Sequence, residues 1–194
     1  MSRRLLVFLI GSLLLIPCAA ALAAGPANVR IRVEGTAATL VERTALRTDT
    51  RTINKDGVAG HDCPGTSVAG ALEIATAGGW SGSYFAGLGY TVESVLGEAH
   101  RFPEPDFFEL WINNRSQAVG VCQAELQEGD DVLLFVSRCE VGPPPDYLCQ
   151  NPPILPLGLQ VPATAVLGAP FNVTVVQYAT DGASSPVAGA TVVG

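Results

Sequence analysis

His61-Asp62-Cys63 places an imidazole, a carboxylate and a thiol on consecutive residues, the groups an activated thiol nucleophile needs. In a chain whose cysteines are even in number and exported, the thiol reads first as half of a disulfide. Glu104, Asp106 and Glu109 stand close to Trp111, the pattern of a paired-carboxylate glycosidase. Acids near strand ends are ordinarily solvated, and that reading is preferred here. His61, His100 and the cysteines show neither a Cys-x-x-Cys nor a His-x-x-x-His spacing, so no metal site is expected. A Gly-x-Ser-x-Gly elbow and a Gly-Lys-Ser/Thr phosphate loop are both lacking. No catalytic residue is assigned, and the chain is expected not to be an enzyme.

What remains is a set of rings: Trp80, Tyr84, Phe85, Tyr90, Phe108 and Trp111. A small domain uses such rings for its core. Several of them lie among glycines in WSGSYFAGLGY, however, and aromatics on loops serve binding. Trp80 and the loop from Trp80 to Tyr90 are therefore candidates for a ligand surface.

Charge and the N-terminus set the compartment. Of 194 residues, 18 are acidic and 11 basic, with no basic run to neutralise phosphates, so a nucleic-acid partner is excluded. Arg3 and Arg4 precede an apolar run from Leu5 to Ile16, and Ala21-Leu22-Ala23 supplies a small-x-small cleavage pattern. Residues 1–24 read as a removed signal peptide, leaving no stable membrane span and a secreted, extracellular or cell-surface product. Cys18 leaves with it. Cys63, Cys122, Cys139 and Cys149 then allow three connectivities. Cys63–Cys122 with Cys139–Cys149 is favoured, because the latter pair flanks a short proline-rich loop.

The elements that must position these residues follow in order. NVRIRVEG (28–35) alternates apolar and polar residues, and TLVERTALR (39–47) is a second β-prone run, together a hairpin. Val68, Ala71, Leu72 and Ala75 recur with helical period behind Thr66 or Ser67 as cap, and Gly78-Gly79 stops a helix of roughly three turns. YTVESVL is a strand. FFELWIN is a strand apolar on both sides, which requires cover on both. Asn113-Asn114 suits a left-handed turn, Val119 to Cys122 starts a return strand, Glu128-Gly129-Asp130 turns, and Val132 to Val136 completes the sheet. Residues 141–156 hold six prolines and read as a linker. From Leu157 alternating runs with Gly/Pro turns suggest an immunoglobulin-like sandwich. Such a sandwich needs about 100 residues, so 157–194 reads as an incomplete one with exposed edges.

The blocks TSVAGALEIATAGG, GLGYTVESVLGEA, FFELWIN and GVCQAELQEGDDVLLFV, in that order, resemble the C-terminal β-grasp domain of transcobalamin and intrinsic factor. They resemble still more the uncharacterised secreted bacterial domains grouped with it, over about residues 28–139. The tail PVAGATV is similar to bacterial immunoglobulin-like repeats of cell-surface proteins. The resemblance implies an α+β fold, a β-grasp with a mixed sheet and one packed helix, over 25–140, then the 141–156 linker and the 157–194 immunoglobulin-like segment. It places ligand contacts on Gly87, Leu88, Gly89 and Tyr90, then Phe108 and Trp111, and implies cobalamin or another corrinoid as the ligand. It also marks Cys63/Cys122 as a feature of the bacterial relatives. The expected function is a secreted, non-enzymatic binding or adhesion module with a small-molecule, protein or cell-surface partner. A corrinoid-like carrier is the alternative.

Overall fold

The computed structural model describes residues 25–101, 104–140, 142 and 154–192. The signal peptide assigned to 1–24, most of the 141–156 linker, and Cys149 lie outside the described residues. The first half holds β1 (Asn28–Glu34), β2 (Thr39–Arg47), β3 (Thr52–Ile53), β4 (Cys63–Pro64) and α1 (Val68–Ala75). A hairpin of β5 (Trp80–Phe85) and β6 (Gly89–Val95) follows, then β7 (Glu98–Ala99), β8 (Asp106–Ile112), β9 (Arg115–Ser116) and β10 (Asp131–Arg138). β11 (Leu157–Gln160), β12 (Thr174–Tyr178) and β13 (Ser184–Pro186) close the described chain.

The main sheet has the order β2-β1-β10-β8-β9, with β1 parallel to β10 and the other pairs antiparallel. The alternation read in the sequence sets its faces. Val29, Ile31 and Val33 of β1 are buried, in register with Val132 and Leu134 of β10 and, beyond them, Leu110 and Ile112 of β8. Burying these side chains contributes roughly 1.5–3 kcal/mol each. Trp111 and Phe135 lie on the reverse face, where their rings meet edge-on at 6.2 Å. FFELWIN is thus covered on both sides, as its composition required. Asn113 and Asn114 adopt φ of 51° and 63°, the left-handed pair of the β8–β9 turn.

The expected α+β β-grasp with one packed helix is not what the chain forms. Among the described residues strands hold 43% and helix 5%, so the molecule is mostly β. Its sheets are several and small: five strands, three (β5-β6-β7), three (β11-β12-β13) and two (β3-β4). The physical reason lies in α1, which is only eight residues long. Its start is fixed by tertiary contact rather than by a cap. Ser67 occupies the N-cap position without capping; its hydroxyl donates to the Pro64 carbonyl at 2.7 Å. The first amides, of Val68 and Ala69, donate instead to the carbonyls of Ala124 (2.9 Å) and Val121 (3.0 Å). The helix ends early because Ala77 and Gly78 turn left-handed (φ 50° and 82°) and Gly78 N–H donates to the Glu73 carbonyl.

Two local expectations also change. Trp80–Tyr90 is no loop: its glycines sit within the β5–β6 hairpin, Tyr84 opposite Tyr90. Val119–Cys122 is no strand either but part of an irregular segment, because its backbone bonds to several different elements. Residues 157–186 supply the expected β segment as one three-stranded antiparallel sheet. Among the described residues, no helix is long and apolar enough to cross a membrane.

Gly70 marks the tightest contact of the helix. A Cβ there would lie 1.9 Å from the Gly65 carbonyl oxygen and 2.4 Å from its carbon, backbone that cannot step aside. Gly70→Ala should therefore lower stability by about 1–3 kcal/mol through overpacking, although alanine is intrinsically better in a helix by about 1 kcal/mol. Urea unfolding measures the sign; a stabilised variant would contradict the close approach.

Candidate functional site

An apolar cleft of about 640 Å³ opens between β6 and β8. Leu88, Tyr90 and Val92 form one wall, Phe108 and Leu110 the other, and Val121 lines the closed end. The cleft exists because the outer side of β8 carries little. β9 pairs only with Trp111 and Ile112, and the Gln117 amide then donates to the Leu110 carbonyl at 2.9 Å. From Gln117 the chain crosses to β6, where Gly120 and Val121 donate to the carbonyls of Leu88 (3.1 Å) and Tyr90 (3.1 Å). Gly120 has to be glycine: a Cβ would sit 2.2 Å from the Leu88 oxygen.

The residues singled out in the sequence divide cleanly. Leu88, Tyr90 and Phe108 line this cleft. Gly87 (φ 82°) is exposed in the β5–β6 turn, and Gly89 (φ 78°) packs so tightly that a Cβ would lie 2.9 Å from Cβ of Cys122. Trp80 and Trp111 are 4% and 1% exposed and do not line the cleft, so no exposed aromatic patch exists there. Trp80 Nε1–H donates to Glu73 Oε2 at 2.7 Å, and Lys55 Nζ binds the same oxygen at 2.9 Å while lying 4.9 Å above the indole. That arrangement anchors the helix to the hairpin. The sequence reading missed Val92, Leu110 and Val121. The apolar run Ala118-Val119-Gly120-Val121 on what is in fact a turn was the available signal, hidden by its strand-like composition.

The presumed chemical groups are spoken for. His61 Nδ1 lies 2.7 Å from Asp56 Oδ2, and its ring stacks on Tyr84 at 3.7 Å. Asp62 accepts from Asn54, and Cys63 is bonded to Cys122. Asp106 pairs with Arg138 at 3.3 Å, Glu104 is exposed, and Glu109 Oε1 accepts from the Ser116 hydroxyl at 2.9 Å. Among the described residues no group of three or more His, Cys, Asp or Glu could hold a metal ion. Cys139 is also disulfide-bonded, and the Cys139–Cys149 assignment falls on a residue outside the described ones.

Asp56 organises the polar floor beneath the hairpin. Tyr90, with its ring fully buried, donates its hydroxyl to Asp56 Oδ1 at 2.8 Å and accepts from the Lys55 amide at 3.1 Å. Burial, and then the Asp56 carboxylate, push the Tyr90 phenol above its ordinary 10. Hydrogen bonding from His61, with help from the Val58 amide and Tyr90, holds Asp56 down from 3.8 to about 2.

No family model matches the chain, and no curated protein matches it. Solved structures with a related course include a proposed metal binding protein from Ruminococcus gnavus, at TM-score 0.40 and 11% identity over 58% of this chain and 97% of that one. Haptocorrin, in complex with Cbi, is similar at TM-score 0.42 and 12% identity, over 59% of this chain and 26% of haptocorrin. The chain thus spans about a quarter of haptocorrin's length. Likenesses this distant decide neither ligand nor activity. Fold and cleft together define a mostly β, disulfide-linked chain that opens an apolar cleft between β6 and β8 among its described residues.

Two outcomes follow from this geometry. Cys63–Cys122 closes a loop of 59 residues and holds the segment that ends the cleft. The double variant Cys63→Ala, Cys122→Ala should lose about 4 kcal/mol by the loop-entropy relation; urea unfolding that shows no loss would contradict it. Asp56 has a lowered folded pKa, so its contribution is complete above 3.8 and is lost as pH falls toward about 2. Asp56→Asn should flatten that part of the acid limb of a stability–pH curve, whereas an unchanged slope would show that the His61–Asp56 contact is not maintained in solution.

Proposed function

We propose that the chain is a secreted, non-enzymatic binding module that seats a small apolar molecule between β6 and β8. The observation that carries this reading is the cleft itself. At about 640 Å³ it falls within the size of small-molecule sites, which run from roughly 300 to 1,000 Å³. Its walls are aliphatic and aromatic side chains whose backbone is held by strand pairing on one side and by the Gln117–Val121 crossing on the other. Export is supported by the N-terminal pattern of residues 1–24 and by the Cys63–Cys122 bond, which belongs to an oxidising compartment.

A corrinoid remains the occupant implied by the sequence resemblance. Cobalamin is therefore titrated in parallel. Adhesion through 157–192 is the second reading, supported by the exposed Leu159, Leu167 and Phe171 of that segment.

Nile red, a neutral dye that brightens in apolar surroundings, tests the cleft on the full exported chain. Val119 lies at the mouth and is 40% exposed, so Val119→Asp should leave the unfolding midpoint unchanged. Putting a charge against the dye should weaken its binding by about tenfold or more. No dye binding, or equal binding by both proteins, would overturn the proposal.

A further inference from the structure

The cleft touches four consecutive residues of β8, Phe107 to Leu110. Side chains of a strand alternate between its two faces, so a space bordered by four residues in a row runs along the strand's edge as well as over one face. Phe108 and Leu110 turn their side chains into the core. Glu109 belongs to the face of Trp111, and its Oε1 accepts from the Ser116 hydroxyl at 2.9 Å. Glu109 therefore borders the cleft with its backbone, and its carboxylate lies on the other side of the sheet.

The hydrogen-bond pattern fixes which backbone groups that edge presents. The Cys139 amide donates to the Pro105 carbonyl at 2.6 Å, and the Asn113 amide donates to the Asp131 carbonyl at 2.9 Å. Odd-numbered positions thus turn their backbone groups toward β10, and even-numbered ones turn theirs outward. Leu110 agrees, since its carbonyl accepts from the Gln117 amide on the outer edge. Phe108, two residues back, turns its N–H and C=O the same way. β9 pairs only with Trp111 and Ile112; among the described residues no strand pairs with Phe108 on that edge, and no loop backbone bonds to it. Free edges are ordinarily blunted by proline, lysine or a bulge. Asp106–Ile112 contains neither residue, and its register with β10 is unbroken.

We propose that the cleft selects an extended apolar peptide, which adds to β8 as a short strand. One ligand residue exchanges two backbone bonds with Phe108, donating its N–H to the Phe108 carbonyl and accepting from the Phe108 amide. Its side chain then stands beside that of Phe108, on the apolar wall that includes Val92 and Leu110. Backbone pairing supplies affinity and the wall selects the side chain, the division of labour in strand addition. With Glu109 turned away, the lining offers no partner to a ligand charge, which favours a neutral occupant. A single blocked apolar residue is the smallest ligand of this kind. The proposal rests on the cleft being the ligand site and names the chemistry of its occupant.

Calorimetric titration of the full exported chain compares hexanoyl-leucine butylamide with its depsipeptide, in which oxygen replaces the leucine N–H. The peptide should bind about fivefold more tightly, the gain of one hydrogen bond. Hydrogen exchange of the Phe108 amide should slow in the saturated peptide complex, because the ligand carbonyl accepts from it. If Nile red binds but peptide and depsipeptide do not differ, the strand pairing is overturned while the cleft stands. A peptide preference without slowed exchange at Phe108 puts the bond elsewhere and overturns the role of β8. If Nile red, peptide and depsipeptide all fail to bind, the cleft reading falls and the peptide proposal with it.

Discussion

The segment from Gln117 to Leu126 holds the molecule together by giving its backbone hydrogen bonds away. Its amides reach Leu110 of β8, Leu88 and Tyr90 of the hairpin, and Thr66 before the helix; its carbonyls at Val121 and Ala124 receive the first amides of α1. Cys122 adds a covalent bond to β4. A segment so committed cannot join a ladder of its own, which is why it is irregular. Helix, hairpin and main sheet each depend on it to satisfy groups they cannot satisfy alone.

The cleft is a consequence of the same economy of backbone. The crossing chain meets β8 at Leu110 and the β5–β6 hairpin at Leu88 and Tyr90, so it ties the two strands together there. Beyond that tie their apolar side chains face each other across open space. The hairpin wall is stiff for a separate reason, since Tyr90 and Trp80 are held from below by Asp56 and Glu73. A rigid wall and a short helix pinned at its N-terminus describe a preorganised surface, which lowers the ordering cost of binding.

Much of this was legible in the sequence where period and burial agree. The β1–β2 hairpin, FFELWIN, Asn113-Asn114 and the strand read at Val132 to Val136 announce themselves by alternation and turn chemistry. The resemblance implies ligand contacts at Leu88, Tyr90 and Phe108, residues that line the cleft between β6 and β8. The misreadings have a common origin in long-range backbone contacts. A glycine such as Gly82 reads as a loop signal, yet in β5 it accommodates the Thr91 carbonyl, which a Cβ would meet at 1.9 Å. Val119 and Val121 have β-prone side chains but lie in a turn. Ser67 looks like a cap, but Val121 and Ala124 receive the first amides. The α+β expectation failed because the one described helix is only eight residues long, while the described strands form four separate sheets.

We propose the space between β6 and β8 as the place where this chain takes its ligand. Amide chemical shifts of the isotopically labelled protein, followed through a Nile red titration, test it most directly. Saturable shifts concentrated at Leu88, Val92, Phe108, Leu110 and Val121 are expected. Shifts confined to the reverse face around Arg32, Arg43 and Leu159, or spread evenly without saturation, would contradict it.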